Sequence, residues 1–205
     1  EGDEVLSTNH IYGALDRSWK YLCDNKKAIF VKAKLPFPIY SKQNFLDVFF
    51  DHVNPKTKII FLDHITSMTA MIFPIKEVID FAKKKNIITI IDGAHVPGHI
   101  DLDIKDLKPD IYTGACHKWM CTPKGVSFLY VRKELQELIH PLVISWGWES
   151  ETPGSSQFLD WHDWQGTRDM SAFLTIPVAI KFLEENNWTQ VAKKCRQQVV
   201  NTRND

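Results

Sequence analysis

Two continuous apolar runs flank a segment of helical period in the middle of the chain. Residues 58–63 and 87–92 are rich in isoleucine, which predicts two buried strands. Apolar side chains between them recur at helical spacing, and Asn86 can end that helix. Its apolar face consists of Ile75, Val78, Ile79, Phe81 and Ala82. The pattern predicts two parallel strands, buried on both faces and joined by a right-handed crossover.

Similar patterns elsewhere extend this unit into an α/β fold. Residues 28–31, 110–113 and 126–131 predict three further strands. Ser41 can cap a helix that continues to about residue 53, and Ser171 can cap one that continues to about residue 185. We therefore predict a mostly parallel central sheet with flanking helices.

This sheet would bring an aspartate and a lysine to one edge. Open parallel sheets bind ligands beyond the carboxyl ends of their strands, where Asp92 and Lys118 both lie. The stretch around the lysine, residues 113–125 (TGACHKWMCTPKG), has a composition that predicts a largely buried segment. A buried lysine is usually paired or functional. Asp92 and Lys118 therefore form either an ion pair or part of a site, unless the lysine extends to water past Trp119.

Composition and charge narrow the class of protein. The chain has 205 residues, 44% of them hydrophobic, with 25 basic and 25 acidic side chains. It is long enough to bury a core, and its balanced charge argues against a nucleic-acid partner. Its four cysteines do not resemble a disulfide framework, and no run is long and apolar enough to span a bilayer. We expect a soluble, cytoplasmic protein without a nucleic-acid or membrane partner.

Motifs for nucleotide binding, serine hydrolysis and zinc proteolysis are absent from the sequence. A metal-dependent hydrolase is an alternative, because potential ligands follow two predicted strands. They are His95, His99, Asp101 and Asp103, and then Cys116, His117 and Cys121. The spacing of the two cysteines is not that of a zinc finger, and loop histidines are usually hydrogen-bonded surface groups. We therefore predict no metal site.

Pyridoxal 5'-phosphate (PLP) chemistry requires a lysine and an aspartate in one crevice. The lysine amine forms a Schiff base with the cofactor, and the carboxylate keeps the pyridine nitrogen protonated so that the ring can accept electrons. In this interpretation Lys118 forms the Schiff base and Asp92 holds the ring nitrogen. His95 can donate a hydrogen bond to the ring hydroxyl, and His117 can contact the phosphate.

Several stretches of the chain, in order, resemble the class V aminotransferase family of PLP enzymes. The strongest are residues 92–103 (DGAHVPGHIDLD), 110–119 (DIYTGACHKW) and 123–125 (PKG). The similarity extends to residues 9–14 (NHIYGA), 63–67 (DHITS) and 165–169 (QGTRD), and is greatest to the isopenicillin N epimerase-like branch. The resemblance implies the large domain of a fold type I PLP-dependent transferase.

The resemblance also implies roles for residues outside the aspartate and lysine motifs. His10 would stack on the pyridine ring, although Tyr12 is a second aromatic candidate. Ser67 would lie near the substrate or the ring hydroxyl. Thr167 would reach the phosphate held by the neighbouring subunit, which implies a homodimer. An ordinary loop serine and a plain turn are the alternatives for the last two.

The chain departs from the family pattern in three places. Ala115 stands three residues before the lysine, where the family often has a serine or asparagine that binds the phosphate. The family's N-terminal phosphate loop and C-terminal small domain have no counterpart, so we expect a fragment. We predict a partial PLP-binding large domain over residues 1–170 and, over 171–205, a helix leading toward a small domain.

The function implied by the resemblance is a PLP-dependent lyase or epimerase that acts on an amino acid or a derivative of one. A transaminase of the same family and an inactive PLP-fold fragment that serves as a binding module are the alternatives. Aromatic residues near the end of the predicted large domain could form a substrate cage, but a dimer interface or core fits them better. These residues are Trp146, Trp148, Trp161 and Trp164.

Overall fold

A computed structural model describes residues 1–204 and contains one six-stranded sheet of order β2-β1-β3-β4-β5-β6. The first five strands are parallel to their neighbours, and β6 runs antiparallel to β5. The strands are β1 Glu4–Thr8, β2 Ile29–Ala33, β3 Thr57–Asp63, β4 Ile88–Asp92, β5 Ile111–Ala115 and β6 Ser127–Val131. The predicted α/β class, with a mostly parallel sheet, is confirmed.

Helices connect the strands and continue beyond the sheet. They are α1 Gly13–Lys26, α2 Lys42–Asp51, α3 Ile75–Lys84, α4 Ile104–Leu107, α5 Gln157–Asp163, α6 Ser171–Leu174, α7 Ile176–Glu185 and α8 Trp188–Asn204, with a 3₁₀ helix over Lys133–Leu138. Strand β1 and helices α1 and α8 are additions to the predicted elements. The predicted strand–helix–strand unit is present as β3, α3 and β4, with the two strands parallel.

Both faces of the sheet are covered, because successive side chains of a strand point to opposite faces. Ile60 and Leu62 of β3 belong to the larger core cluster, together with residues of α2, α3 and α4. Phe61, between them, belongs to a second cluster with Cys23 and Trp19 of α1. This two-sided burial explains why the central strands are continuous apolar runs.

The two helix caps predicted from serines have different outcomes. Ser41 Oγ accepts the backbone N–H of Asn44 at 3.0 Å, which confirms the first cap. The prediction for Ser171 was wrong, since Ser171 lies within α6 and the helix breaks at Thr175. Pro177 explains the break, because proline has no N–H for the residue four positions earlier and its ring crowds that residue's carbonyl.

Asp110 is a buried carboxylate that ties the last three strands together. Its Oδ2 accepts the backbone N–H of Thr89 at 2.7 Å and the Thr89 hydroxyl at 3.0 Å. Its Oδ1 lies 2.9 Å from Arg132 Nε, although this N–H does not point at the oxygen. Backbone bonding also joins Arg132 N–H to the Asp110 carbonyl. The position of β5 between β4 and β6 therefore depends on one side chain.

Asp110→Ala is expected to lower the free energy of unfolding by about 3 kcal/mol, because it leaves buried donors of Thr89 and the charge of Arg132 without their partner. Urea unfolding followed by circular dichroism measures this loss. Asp106→Ala removes an exposed carboxylate from the same connection and is the control. A loss no larger than that of the control would contradict the structural role of Asp110.

Helices α6, α7 and α8 follow Met170, within the segment over which we predict a lead toward a small domain. That segment ends at Asp205, which lies outside the described residues, and the domain division stays a prediction. Within residues 1–204, no helix is both long and apolar enough to cross a membrane. Cys23 and Cys116 are buried and Cys121 and Cys195 are exposed, and all four are free thiols.

Candidate active site

The carboxyl ends of β3, β4 and β5 bring together the residues that the sequence analysis singled out. Asp63 ends β3 and Asp92 ends β4, and the two are paired in the ladder between these strands. Thr113 of β5 is the partner of Asp92 on the other side. Lys118 follows three residues after β5 ends. Asp92 and Lys118 thus lie at one edge of the sheet, as their positions in the sequence predict.

Lys118 contacts a histidine from the neighbouring loop. Its Nζ lies 3.0 Å from His95 Nε2, and the indole N–H of Trp119 donates to His95 Nδ1 at 3.3 Å. Burial lowers the pKa of His95, and the charge of Lys118 lowers it further. The prediction of a largely buried stretch was wrong beyond Cys116: Ala115 and Cys116 are buried, whereas Lys118 and Trp119 are exposed because the chain leaves the sheet there.

Asp92 is a buried carboxylate at the end of β4, with 7% of its surface exposed. Its Oδ1 accepts the backbone N–H of Ala94 at 2.8 Å, which orients the group at the start of the loop. The salt bridges of residues 1–204 do not include one between Asp92 and Lys118. The ion-pair alternative therefore has no support in the geometry.

Asp63 is a second carboxyl group that the sequence analysis missed. Only 2% of it is exposed, and its Oδ2 has no hydrogen-bond partner among the described residues. Burial, followed by the negative charge of Asp92, raises the pKa of Asp63 to about 7, against the lowering effect of the Tyr12 backbone N–H. The signal was available, because Asp63 ends its predicted strand just as Asp92 does.

The raised pKa of Asp63 predicts a stability that depends on pH. The ordinary pKa is 3.8 and the folded value is about 7, so between these values the folded chain holds a proton that the unfolded chain has lost. The contribution of Asp63 is therefore fully present below about pH 4 and is lost as the pH rises through about 7.

Asp63→Asn removes this titration, so its stability relative to wild type is expected to rise by about 2 kcal/mol between about pH 5 and pH 8. Urea unfolding of both proteins, without cofactor, gives the difference at each pH. Other titrating groups cancel in that difference. Equal differences at the two pH values would mean that Asp63 is ionised throughout.

A hydrogen-bonded pair of aromatic side chains lies behind Asp92. His64 Nδ1 and the Tyr112 hydroxyl are joined by a hydrogen bond of 2.9 Å. Burial lowers the pKa of His64 to about 4, while burial and the charge of Asp92 raise the pKa of Tyr112, so both stay neutral. Glycine is required at position 93, because a Cβ there would lie 2.2 Å from the Tyr112 hydroxyl. This pair supports the turn that presents Asp92.

His10 follows β1 at the same edge of the sheet. Its ring lies 6.3 Å from the rings of Phe37 and Phe73, and its Nδ1 is 3.4 Å from Thr69 Oγ1. Burial lowers the pKa of His10, and its Nε2 has no hydrogen-bond partner among the described residues. Tyr12, the alternative stacking residue, is half exposed. Thr69 is a contact of His10 that the sequence pattern did not reveal.

The remaining candidate residues occupy loops. His117 Nδ1 lies 2.9 Å from the Val126 carbonyl, so this nitrogen carries the hydrogen and Nε2 is left for a ligand. Ser67 is exposed in the loop after β3, and Thr167 is exposed between α5 and α6. Ala115 is buried and offers no side-chain donor. The roles of His117, Ser67 and Thr167 stay predictions.

The side chains named for the metal alternative have other contacts. The His99 ring packs on Trp119 with centroids 4.5 Å apart, and its Nδ1 is 3.1 Å from the His95 carbonyl. Asp103 caps α4 by accepting the backbone N–H groups of Lys105 and Asp106. Among the residues that the structure describes, no three His, Cys, Asp or Glu side chains are grouped as metal ligands would be.

The tryptophan-rich stretch divides into a packed part and an exposed part. Trp148 stacks on Trp161 at 4.5 Å, and the His140 ring lies within 6 Å of both. Trp146 and Trp164 are exposed, at 83% and 60%. The first pair forms a small aromatic core, which agrees with one of the two interpretations that we favoured. The exposed pair remains a candidate for a dimer interface.

Comparison with protein families identifies the chain. The family model described as aminotransferase class-V matches residues 1–202. The chain belongs to the aminotransferase class-V family. This confirms the resemblance of the motifs around Asp92 and Lys118.

Curated relatives within the aminotransferase class-V family include two kinds of protein. Isopenicillin N epimerase of Amycolatopsis lactamdurans is 28% identical, over 98% of this chain and 53% of the relative. A probable chloroplastic L-cysteine desulfhydrase of Arabidopsis thaliana is 29% identical, over 98% of this chain and 43% of the relative. The chain thus spans about half the length of these relatives, consistent with the expectation of a fragment.

Solved structures confirm the fold. A cystine C-S lyase, solved in complex with its reaction product cysteine persulfide, superposes with a TM-score of 0.78 at 21% identity. The superposition covers 90% of this chain and 50% of the lyase. A mutant described as having glycine covalently linked to its PLP cofactor superposes with a TM-score of 0.65 at 20% identity. The fold of this aminotransferase class-V chain is therefore that of PLP-dependent enzymes.

Proposed function

We propose that the chain is the catalytic part of a PLP-dependent lyase or epimerase, acting on an amino acid or a derivative through a Schiff base of Lys118. The observation that carries the proposal is the contact between Lys118 Nζ and His95 Nε2, 3.0 Å long, at the sheet edge where Asp92 ends β4. Membership of the aminotransferase class-V family supports PLP as the cofactor.

The residues of the site fit this cofactor. Asp63 and Asp92 are neighbouring buried carboxyl groups, and a cationic ring nitrogen would relieve their repulsion. Two buried polar atoms, His10 Nε2 and Asp63 Oδ2, have no partner among residues 1–204 and are positioned to meet a polar ligand. The Nε2 edge of His117 is a candidate for the phosphate, since Ala115 supplies no donor.

When bound, PLP supplies an aldehyde that attaches to amines and a pyridine ring that draws electrons from the carbon bearing the amine. Asp92 holds a proton on the ring nitrogen, and His95 donates a hydrogen bond to the ring hydroxyl. His10 packs against the face of the ring. Lys118, once released by the amine of the substrate, removes the α-proton or returns it.

The fate of that proton separates the possible reactions. Return to the opposite face inverts the α-carbon, and loss of a sulfur group from the β-carbon gives a lyase. The names of the relatives, an epimerase and a cysteine desulfhydrase, favour these two outcomes over transamination. A substrate panel should therefore include L-cysteine, with sulfide release as the readout, and other amino acids, with inversion as the readout.

The proposed assembly is a homodimer in the full-length protein. Thr167 would reach the phosphate held by the neighbouring subunit, and the exposed Trp146 and Trp164 would belong to the interface. Residues 171–205 would lead toward a small domain, since the relatives extend well beyond the matched length. Their charge balance and lack of a spanning helix within 1–204 make a small molecule the proposed partner.

Reductive trapping tests the proposal. An absorption spectrum of the purified chain with added PLP is recorded before and after borohydride reduction, and the modified peptide is then mapped. We expect a visible absorption band and a stable label on Lys118. Lys124, exposed six residues further on, is the internal control for surface modification. A label spread over Lys124 and other surface lysines, without a visible band, would refute the proposal.

A further inference from the structure

Trp119 makes a polar contact that determines the hydrogen positions of His95. Its indole N–H lies 3.3 Å from His95 Nδ1, and an indole nitrogen can only donate. His95 Nδ1 must therefore accept and cannot itself carry a hydrogen. Burial and the charge of Lys118 lower the pKa of His95, so the imidazole is neutral, and a neutral imidazole with a bare Nδ1 carries its hydrogen on Nε2.

The protonated nitrogen of His95 is the one that contacts the lysine. Nε2 lies 3.0 Å from Lys118 Nζ. A donor at Nε2 requires an acceptor opposite it, and an ammonium has no lone pair. The contact therefore selects the unprotonated amine of Lys118, which is the form that attacks a carbonyl.

We propose that Trp119 is a positioning residue that fixes the Nε2–H tautomer of His95 and so directs a hydrogen-bond donor at the Lys118 amine. The proposal rests on the function given above and deepens it, because it explains how His95 keeps a donor for the ring hydroxyl and how Lys118 is held ready to react. No titration of Lys118 by solvent is needed for the tautomer to be set.

The surroundings of Trp119 hold its indole in place. Its ring packs on His99 with centroids 4.5 Å apart. Its backbone passes close to Gly98, where a Cβ would lie 2.6 Å from the Trp119 carbonyl oxygen, and Gly98 has a φ of +77°. The Gly98 carbonyl in turn accepts the indole N–H of Trp188, at the start of α8. The orientation of the indole is thus fixed from both sides of the loop.

The tautomer can be measured directly in the cofactor-free chain. The full chain, labelled with ¹⁵N-histidine and depleted of PLP by dialysis against hydroxylamine, gives separate nitrogen shifts for the two ring positions. The His95 signals are assigned by their loss in His95→Gln. In wild type we expect hydrogen on Nε2 and none on Nδ1. In Trp119→Phe, which keeps the ring but removes the donor, the Nδ1–H fraction should rise about fivefold.

Two controls separate the tautomer from the fold. Trp146→Phe alters a tryptophan that is 83% exposed and should leave the His95 shifts unchanged. Thermal melting shows whether Trp119→Phe is folded. A hydrogen on Nδ1 of wild-type His95 would overturn the proposal without reference to any variant, and so would an unchanged tautomer in folded Trp119→Phe.

The proposed function has a separate readout. If borohydride trapping fails on Lys118 while the tautomer shifts as expected in Trp119→Phe, PLP chemistry is wrong but the positioning by Trp119 stands. If trapping succeeds and the tautomer does not shift, the function stands and the role of Trp119 is wrong. Each outcome therefore addresses one of the two statements.

Discussion

Lys118→Ala is expected to bind PLP without attaching it and to slow exchange of the α-proton of an amino-acid substrate at least about 1,000-fold, since it removes both the attaching amine and the proton carrier. Exchange into deuterated water, followed by proton NMR, suits this test because lyase, epimerase and transaminase chemistry all begin with loss of that proton. The measurement therefore does not depend on which branch the enzyme follows.

The side chain of Lys118 is exposed, so its removal should leave the melting temperature close to that of wild type. Lys124→Ala is the matched control, because it removes an exposed lysine from the same loop. We expect it to retain both the borohydride-stable label and the exchange rate. Exchange in Lys118→Ala within about tenfold of wild type would show that another group carries the proton.

Asp92→Asn is expected to keep the cofactor on Lys118 but to slow α-proton exchange by about 100- to 1,000-fold, because a neutral amide cannot hold a proton on the ring nitrogen as a carboxylate does. The amide oxygen can still accept the backbone N–H of Ala94, as Asp92 Oδ1 does at 2.8 Å. The turn should therefore keep its shape. Borohydride trapping and exchange are measured on the same sample.

The two variants give opposite patterns, which distinguishes the proposed roles. Lys118→Ala loses the covalent label and the exchange together, whereas Asp92→Asn loses only the exchange. Asp101→Asn, an exposed aspartate on the loop after β4, is the control for a change of charge near the site. An exchange rate for Asp92→Asn equal to that of Asp101→Asn would mean that Asp92 does not act on the ring nitrogen.

The predicted elements that matched the structure share a physical reason. Burial on both faces makes a parallel strand a continuous apolar run, and α3 has an apolar face of helical period, so residues 58–63, 75–84 and 87–92 were visible in sequence. Strand β1, Glu4–Thr8, was not, although it lies second in the sheet. Its Glu4 is buried only because Asn54, 50 residues away, donates to it at 2.6 Å.

The candidate site was predictable as a set of residues but not as a set of hydrogen bonds. Strand ends and parallel pairing are enough to bring Asp92 and Lys118 to one edge. They do not reveal that Asp63 faces Asp92 with a raised pKa, because burial and charge at a strand end depend on what surrounds it. Nor do they reveal that His95 contacts both Lys118 and Trp119.

By itself, the sequence determined the α/β class, the family and the sheet edge at which the chemistry is proposed, because periodicity and motif spacing are local properties of the chain. Only the tertiary structure decided which oxygen, nitrogen and hydrogen meet there. Contacts such as that of Trp119 with His95 join residues 24 positions apart, and their geometry depends on the path of two loops. The position of a donor within a few tenths of an ångström is a property of packing, and packing is not written in any local pattern.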